Sequence, residues 1–462
     1  MLDSIMDRSP SKLFNDDVIS EISCCTAYKN LFILGFLFFC IFTGFQSLQN
    51  LQSSIHSDAN LGFGSLSVVY MSLVCSCLFV SPSLINKFGC KYTIVFSTIG
   101  YISYTTAHFY PTSWSLIPVS VLLGLCAAPL WTAKATYIST TARNYSKSSG
   151  LSVDAVMTNF FGIFFTMFQC SQVVGNSISS IVLKPCLASY KPHNTSYACG
   201  ASFCPSTVIP SVKQQTNHST VVNLMIIYLL FGISGAVIAL MFLDEVKVKE
   251  KYKHGGCTAS LILTFQSFRD WRMIFLLPLN MYSGLSIGFI FGDFTKAYIT
   301  CAVGIQKIGF VMIAFGISNA VSSLFVASFA KWLPRYLMIL FVAIFQSCLI
   351  MWLYLWNPLD SPLSLFFLSV AMWGTADAIW QTQVHAFYGI LFYSKQEIAY
   401  SVYKLFQSLG FVVTFAYGNI LCVSTKLYIL QFVLIFGVLL YGIVEYAERK
   451  KNLNNSILES KK

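Results

Sequence analysis

The chain has 462 residues, of which 56% are hydrophobic and only 10% are charged, whereas a soluble globular domain carries about 25% charged residues. That balance excludes a water-soluble particle and makes lipid the solvent for most of the surface. The formal net charge of +11 then asks which side of a bilayer gathers the basic residues, not whether nucleic acid binds.

Residues 1–30 are polar, with Asp3, Asp7, Arg8, Lys12, Asp16, Asp17 and Glu21, and read as a tail with no cleavable leader. Cys24 and Cys25 stand just before the first apolar run, where S-palmitoylation is an option. Most of the other cysteines lie in apolar runs, where a thiol behaves as a small hydrophobe. A membrane helix needs roughly 20 apolar residues. Such runs fall near 31–50, 64–85, 92–110, 115–138, 159–182 and 221–243. A second set falls near 273–293, 308–330, 336–356, 362–386, 398–422 and 427–446. Between the sets, residues 244–272 are the most charged stretch, with Lys247, Lys249, Lys251, Lys253, Arg269 and Arg272. The expected fold class is therefore an all-α membrane protein of twelve transmembrane helices. It divides into a tail 1–30, a six-helix half 31–243, a basic linker 244–272, a six-helix half 273–446 and a tail 447–462.

Placing both termini in the cytoplasm puts most basic residues inside, including Lys87, Lys91, Arg143, Lys147, the linker, Lys331, Arg335, Lys395 and Arg449–Lys451. The outer loops then hold only Lys184, Lys191, Lys213, Lys296, Lys307 and Lys426. The long outer loop 183–220 carries two N-glycosylation sequons, at Asn194 and Asn217. A third sequon, at Asn144, falls in an inner loop and should be silent. The same outer loop holds Cys186, Cys199 and Cys204, on an oxidising side where disulfides form. Three is an odd number, so one is free or pairs elsewhere, with Cys301 as one option. Spacing leaves the pairing open.

The two halves look alike. Asn86-Lys87-Phe88-Gly89-Cys90-Lys91-Tyr92 follows the second span, and Ala330-Lys331-Trp332-Leu333-Pro334-Arg335-Tyr336 follows the eighth. Ala128–Lys134 in the fourth span aligns with Asp377–Gln383 in the tenth, and Phe168-Gln169 with Phe406-Gln407. Two parallel six-span halves joined by a basic linker describe the major-facilitator type of architecture.

The chain as a whole resembles the Unc-ninety-three-like family, a branch of that superfamily. The resemblance rests on Asn50-Leu51-Gln52-Ser53-Ser54, Gly100-Tyr101, Ala128-Pro129-Leu130-Trp131 with Lys134 and Tyr137, and Asp293-Phe294-Thr295-Lys296. The short tails are closer to the A-type member than to the longer, endosomal B-type. The turn Asn86–Lys91 resembles the superfamily's D-R-x-G-R-R gating loop, with Asn86 where an acid is usual; Lys87, Gly89 and Lys91 keep the pattern.

Charged residues within spans are functional candidates by default. These are Lys134, Asp377 and Lys404. The resemblance implies that their helices face a central cavity; the repeat sets Asp377 against Ala128, near Lys134, so that these opposite charges could pair across it. Such a pair serves either packing or binding. Trp131 and Trp380 lie a helical turn away and offer either a cation–π surface or packing. Gln383, Gln407 and Gln169 add hydrogen-bonding groups. His385 is expected at an interface, with proton relay as the sharper alternative. Asp293 and Lys296 form either a solvated pair or a rim contact. Gly284-Leu285-Ser286-Ile287-Gly288 matches a nucleophile elbow, but it sits in an apolar span, where small residues serve packing. No enzyme, metal or cofactor motif is expected to operate. The resemblance implies regulation of a potassium channel, a membrane protein partner and the plasma membrane rather than endosomes. A coupled secondary transporter of a small solute or ion is the alternative.

Overall fold

The computed structural model describes residues 22–55, 59–183, 199–205, 218–246, 257–304, 307–359, 361–418 and 420–460. Cys186, Asn194 and Asn217 lie outside these. Among the described residues the regular elements are helices. The first are α1 (Cys24–Ile55), α2 (Ala59–Phe79), α3 (Ser81–Ala107), α4 (Ser113–Ser149), α5 (Val153–Leu183) and α6 (His218–Phe242). A short α7 (Cys257–Ser267) follows. Then come α8 (Trp271–Gly288), α9 (Ile308–Phe329), α10 (Arg335–Leu355), α11 (Leu363–Leu391), α12 (Gln396–Tyr417) and α13 (Val423–Ser460). A π-helical stretch, Phe289–Thr300, continues α8 without a break.

Ten of these helices are long and apolar enough to cross a membrane, and α2 with α3 makes up to eleven if that pair, bent by 84°, counts as one. The α2–α3 pair passes only jointly. Its apolar part Gly64–Phe79 is short, and α3 opens through polar residues and two lysines.

Burial separates central from peripheral helices. The most apolar window of α1 is 78% buried, while those of α6 and α13 are only 33% buried. Leu230, Val321, Phe341, Leu355, Phe432 and Leu439 are all exposed. So much outward apolar surface has no place in water. Trp114 and Trp332 are also exposed, in keeping with aromatic anchors at a membrane interface.

Two glycines show why the helices sit where they do. A Cβ on Gly284 of α8 would collide with the backbone carbonyl of Gln407 on α12, and one on Gly410 with the carbonyl of Met281. The nucleophile-elbow match is thus a packing seam. Gly89 has φ +76° inside α3 and breaks its helical path, and a Cβ there would meet Glu245 Oε1 at 3.0 Å. Gly89→Ala is therefore expected to cost about 1–3 kcal/mol, measured as a lower melting temperature in detergent.

Two disulfides pin the segment 199–205. Cys199 pairs with Cys301, beyond the π-helical stretch, and Cys204 pairs with Cys422, just before α13. Phe203 is buried, and its carbonyl accepts a hydrogen bond from the Val423 amide at 2.9 Å. Cys422 was absent from the sequence candidates because it ends an apolar run, where a thiol reads as one more small hydrophobe.

Candidate functional site

A cavity of about 90 Å³ lies where α1, α2, α4, α5, α11 and α12 meet. Gln46, Gln49, Tyr70, Trp131, Gln169, Asp377, His385, Tyr403, Lys404 and Gln407 line it. One water occupies about 10–15 Å³ of such space, so the void takes a few waters or a small ion. It falls well short of the roughly 300–1,000 Å³ of an ordinary ligand pocket.

Lys404 presents its ammonium to this void. Nζ donates to Gln407 Oε1 at 2.8 Å, one helical turn on, and lies 4.3 Å from the Trp131 ring centroid. Gln407 Nε2 donates in turn to Ser283 Oγ and Tyr403 Oη, at 3.0 and 3.4 Å. The amide thereby orients the lysine that it accepts from.

Trp131 carries a second cation. Lys134 Nζ lies 4.7 Å from the same ring, 4.4 Å from Phe164 and 4.8 Å from Phe165. Lys134 is fully buried, and its Nζ has no hydrogen-bond partner among the described residues. Ring faces carry partial negative charge, so this cage replaces part of the hydration that the ammonium has lost.

The expected pair between Lys134 and Asp377 does not form. Asp377 Oδ2 accepts from Asn319 Nδ2 of α9 at 2.8 Å, and Asp377 makes no ion pair among the described residues. The helical wheel explains this. On the repeat Asp377 matches Ala128, six residues from Lys134, and six residues at 3.6 per turn leave about 120° between the two faces. Lys134 matches Gln383 instead. Both are buried, and neither lines the cavity. Neither side-chain polar atom of Gln383 has a partner among the described residues. Trp380 also stays out of the cavity and packs edge-on against Tyr282 at 5.9 Å.

His385 is corrected too. It is buried and lines the cavity rather than an interface, because α11 runs on to Leu391. Its Nδ1 lies 2.7 Å from the Gln381 carbonyl oxygen, and its ring packs against Phe161, Phe165 and Tyr403. Tyr400 closes the cavity beside it. Its hydroxyl donates to the His385 carbonyl at 2.9 Å and bonds Ser139 of α4. Further along the same seam Arg143 reaches the Gly389 carbonyl at 3.4 Å. Arg335 bridges Asp154 of α5, at 2.7 Å, and Glu445 of α13, at 3.2 Å.

The turn Asn86–Lys91 sits within α3. The ammonium groups of Lys87 and Lys91 lie 5.3 and 5.8 Å from the rings of Phe88 and Tyr92. Acids reach this region from the end of α6. Glu245 faces Gly89, and Asp244 pairs with Lys29 at 2.7 Å. The hydrogen bond from Lys29 holds the Asp244 carboxyl below the usual carboxylate range. A depressed carboxyl stabilises above its unfolded pKa of about 3.9, and that contribution is lost as pH falls through the depressed value. Both side chains are nearly half exposed. Asp244→Asn is therefore expected to cost under about 1 kcal/mol at neutral pH, and its melting curve should converge on wild type in acid.

At the opposite end, Asp293 pairs with Lys426 rather than with Lys296. Lys426, expected in an outer loop, is buried and also donates to the Gly418 carbonyl at 2.9 Å. Lys296 lies 5.9 Å from the Phe203 ring.

Sequence reasoning missed Asn319, Gln46, Tyr400 and Tyr403. The signal for Asn319 was present: a lone amide in the apolar run Ile308–Phe329, four residues before Ser323, which donates to it at 3.3 Å.

A family model described as "UNC-93: Ion channel regulatory protein UNC-93" matches residues 53–441. Protein unc-93 homolog A of Xenopus laevis is 40% identical over 444 residues, covering 94% of this chain and 96% of that protein. The Caenorhabditis elegans unc-93 protein, named as a candidate potassium channel regulatory protein, is 33% identical over 426 residues. That match covers 89% of this chain and 60% of the nematode protein. Among solved structures, the major facilitator superfamily transporter FucP in its outward conformation matches with a TM-score of 0.61. It covers 91% of this chain and 99% of FucP at 9% identity, so the likeness is one of fold. The chain belongs to the UNC-93 family and has the major-facilitator fold.

Proposed function

We propose that this protein is an accessory or regulatory subunit of a potassium channel, acting in the plasma membrane. Family membership carries the reading, since the nematode relative bears that role in its name. The central void supports it. It is too small for an ordinary solute, and protein groups already occupy its charges: Gln407 on Lys404 and Asn319 on Asp377. Lateral surface supports it as well. The apolar outward faces of α6, α10 and α13 offer room to pack against another membrane protein.

In this reading the chain crosses twelve times, as two six-helix halves with both termini in the cytoplasm. The two arms of the bent pair have 21 and 27 residues. At 1.5 Å per residue the first arm at its full length just reaches the roughly 30 Å hydrocarbon core, and the second, broken at Gly89, nears it from Cys90 to Ala107. The basic residues named above then gather inside. Asn194 and Asn217 would carry glycans, so glycosidase should shift the mass of wild type, and a shift at Asn144 would reverse the sidedness. Trp131, Lys134, Asp377, Lys404 and Gln407 form the conformational core that a channel would sense. The Gly89 break, flanked by Asn86, Lys87 and Lys91, is its hinge. Whole-cell current tests the proposal. Co-expression with a two-pore potassium channel should change the current, and unchanged currents across that channel class would reject it.

A secondary transporter is the second reading. One observation favours it: Asp377, His385 and Lys404 line the same central void, as ion-coupling groups would. Saturable uptake into vesicles holding the purified protein would place it first.

A further inference from the structure

Away from the central void, a pocket of about 550 Å³ opens between α7, the start of α8 and the α11–α12 turn. Its polar lining is basic, with Arg269, Arg272 and Lys395 against the single acid Asp270. Arg272 is held rigidly. Its guanidinium grips both Asp270 oxygens and reaches Glu448 at 2.9 Å. Arg269 and Lys395 are exposed and make no ion pair among the described residues.

The flanks of the pocket are greasy. Ile262 and Phe265 of α7 are exposed, as are Trp271 and Ile274 of α8. A short helix with outward apolar residues next to a tryptophan is how a chain lies in a membrane interface. Two free cations therefore stand at headgroup depth, above a wall suited to acyl chains. A single phosphodiester needs no cleft of this size, whereas a phosphorylated inositol ring needs both the volume and the convergent cations.

We propose that this pocket binds the phosphorylated inositol headgroup of an inner-leaflet phosphoinositide. The assignment of leaflet rests on the sidedness proposed above; the assignment of headgroup chemistry does not. The test uses the full-length protein in nanodiscs, which expose both faces. Binding is measured to discs holding phosphatidylinositol 4,5-bisphosphate, to discs holding phosphatidylserine at equal total charge, and to soluble inositol 1,4,5-trisphosphate.

The expected result is tighter binding with the phosphoinositide than with phosphatidylserine. It should weaken about tenfold or more in the double variant Arg269→Gln with Lys395→Gln, whose melting temperature without lipid should match wild type. Equal response to both lipids, or a double variant that binds like wild type, would overturn the proposal. Soluble trisphosphate binding as tightly as the lipid supports the headgroup chemistry and assigns its source to the cytosol. Sidedness is read separately, with Lys395→Cys and a membrane-impermeant maleimide on intact cells. Labelling there would sink the leaflet assignment and leave the nanodisc result standing.

Discussion

Gly284→Val should remove most of the folded protein from the membrane. The atoms that a side chain at Gly284 would strike are backbone, namely the Gln407 carbonyl and, at 3.1 Å, the Gly410 Cα. Backbone cannot rotate aside, so α8 and α12 must part. Overpacking a core usually costs about 1–3 kcal/mol, and a forced separation of two helices belongs at or above the top of that range. The penalty weighs more in lipid, where helix association depends on close packing rather than on a hydrophobic drive. Gly442 supplies the control, because nothing lies within 4 Å of a Cβ built there. Gly442→Val should give a wild-type yield of monodisperse protein in detergent, while Gly284→Val and Gly410→Val give little. Any Gly284→Val protein that survives should also have a displaced Lys404, since α12 carries both Gln407 and that lysine.

Lys134→Met should make the protein more stable and less functional. The lysine is fully buried, and its Nζ has aromatic faces around it and no hydrogen-bond partner among the described residues. Cation–π contact returns only part of the hydration that a buried ammonium gives up. Replacing even a buried ion pair by apolar side chains of similar volume often stabilises, by about 1–4 kcal/mol, and Lys134 has no ion pair to lose among the described residues. Methionine also fills the ring cage without strain. A melting temperature several degrees above wild type is therefore expected, together with loss of the effect on channel current. Lys134→Glu should do the reverse to stability, because ring faces repel an anion. If Lys134→Met instead lowers the melting temperature and leaves regulation intact, the lysine is a structural element alone.

Much of the helical layout was legible because lipid imposes long apolar runs that hydropathy detects directly. Spans such as Arg335–Leu355 and Leu363–Leu391 lie close to where the apolar runs place them. The cluster of Trp131, Lys134 and Lys404 was legible one residue at a time, since each is an anomaly in an apolar helix. Their mutual arrangement was not. Trp131 meets both lysines because α12 packs beside α4, and Asp377 turns to Asn319 because α9 lies behind α11. Neither packing choice is written in either helix alone. The Cys204–Cys422 and Asp293–Lys426 pairs escaped for the same reason, each joining distant parts of the chain. The short α7 was hidden by its brevity: eleven residues are too few for a span and were absorbed into the linker.

The most direct test of the central claim is a planar bilayer holding a purified two-pore potassium channel, recorded with and without this purified protein. The channel-regulator account predicts a changed open probability at unaltered unitary conductance, and reversal of that change when Lys134→Met replaces wild type. Identical open probability in both recordings, alongside saturable solute uptake into vesicles of the protein alone, would contradict it.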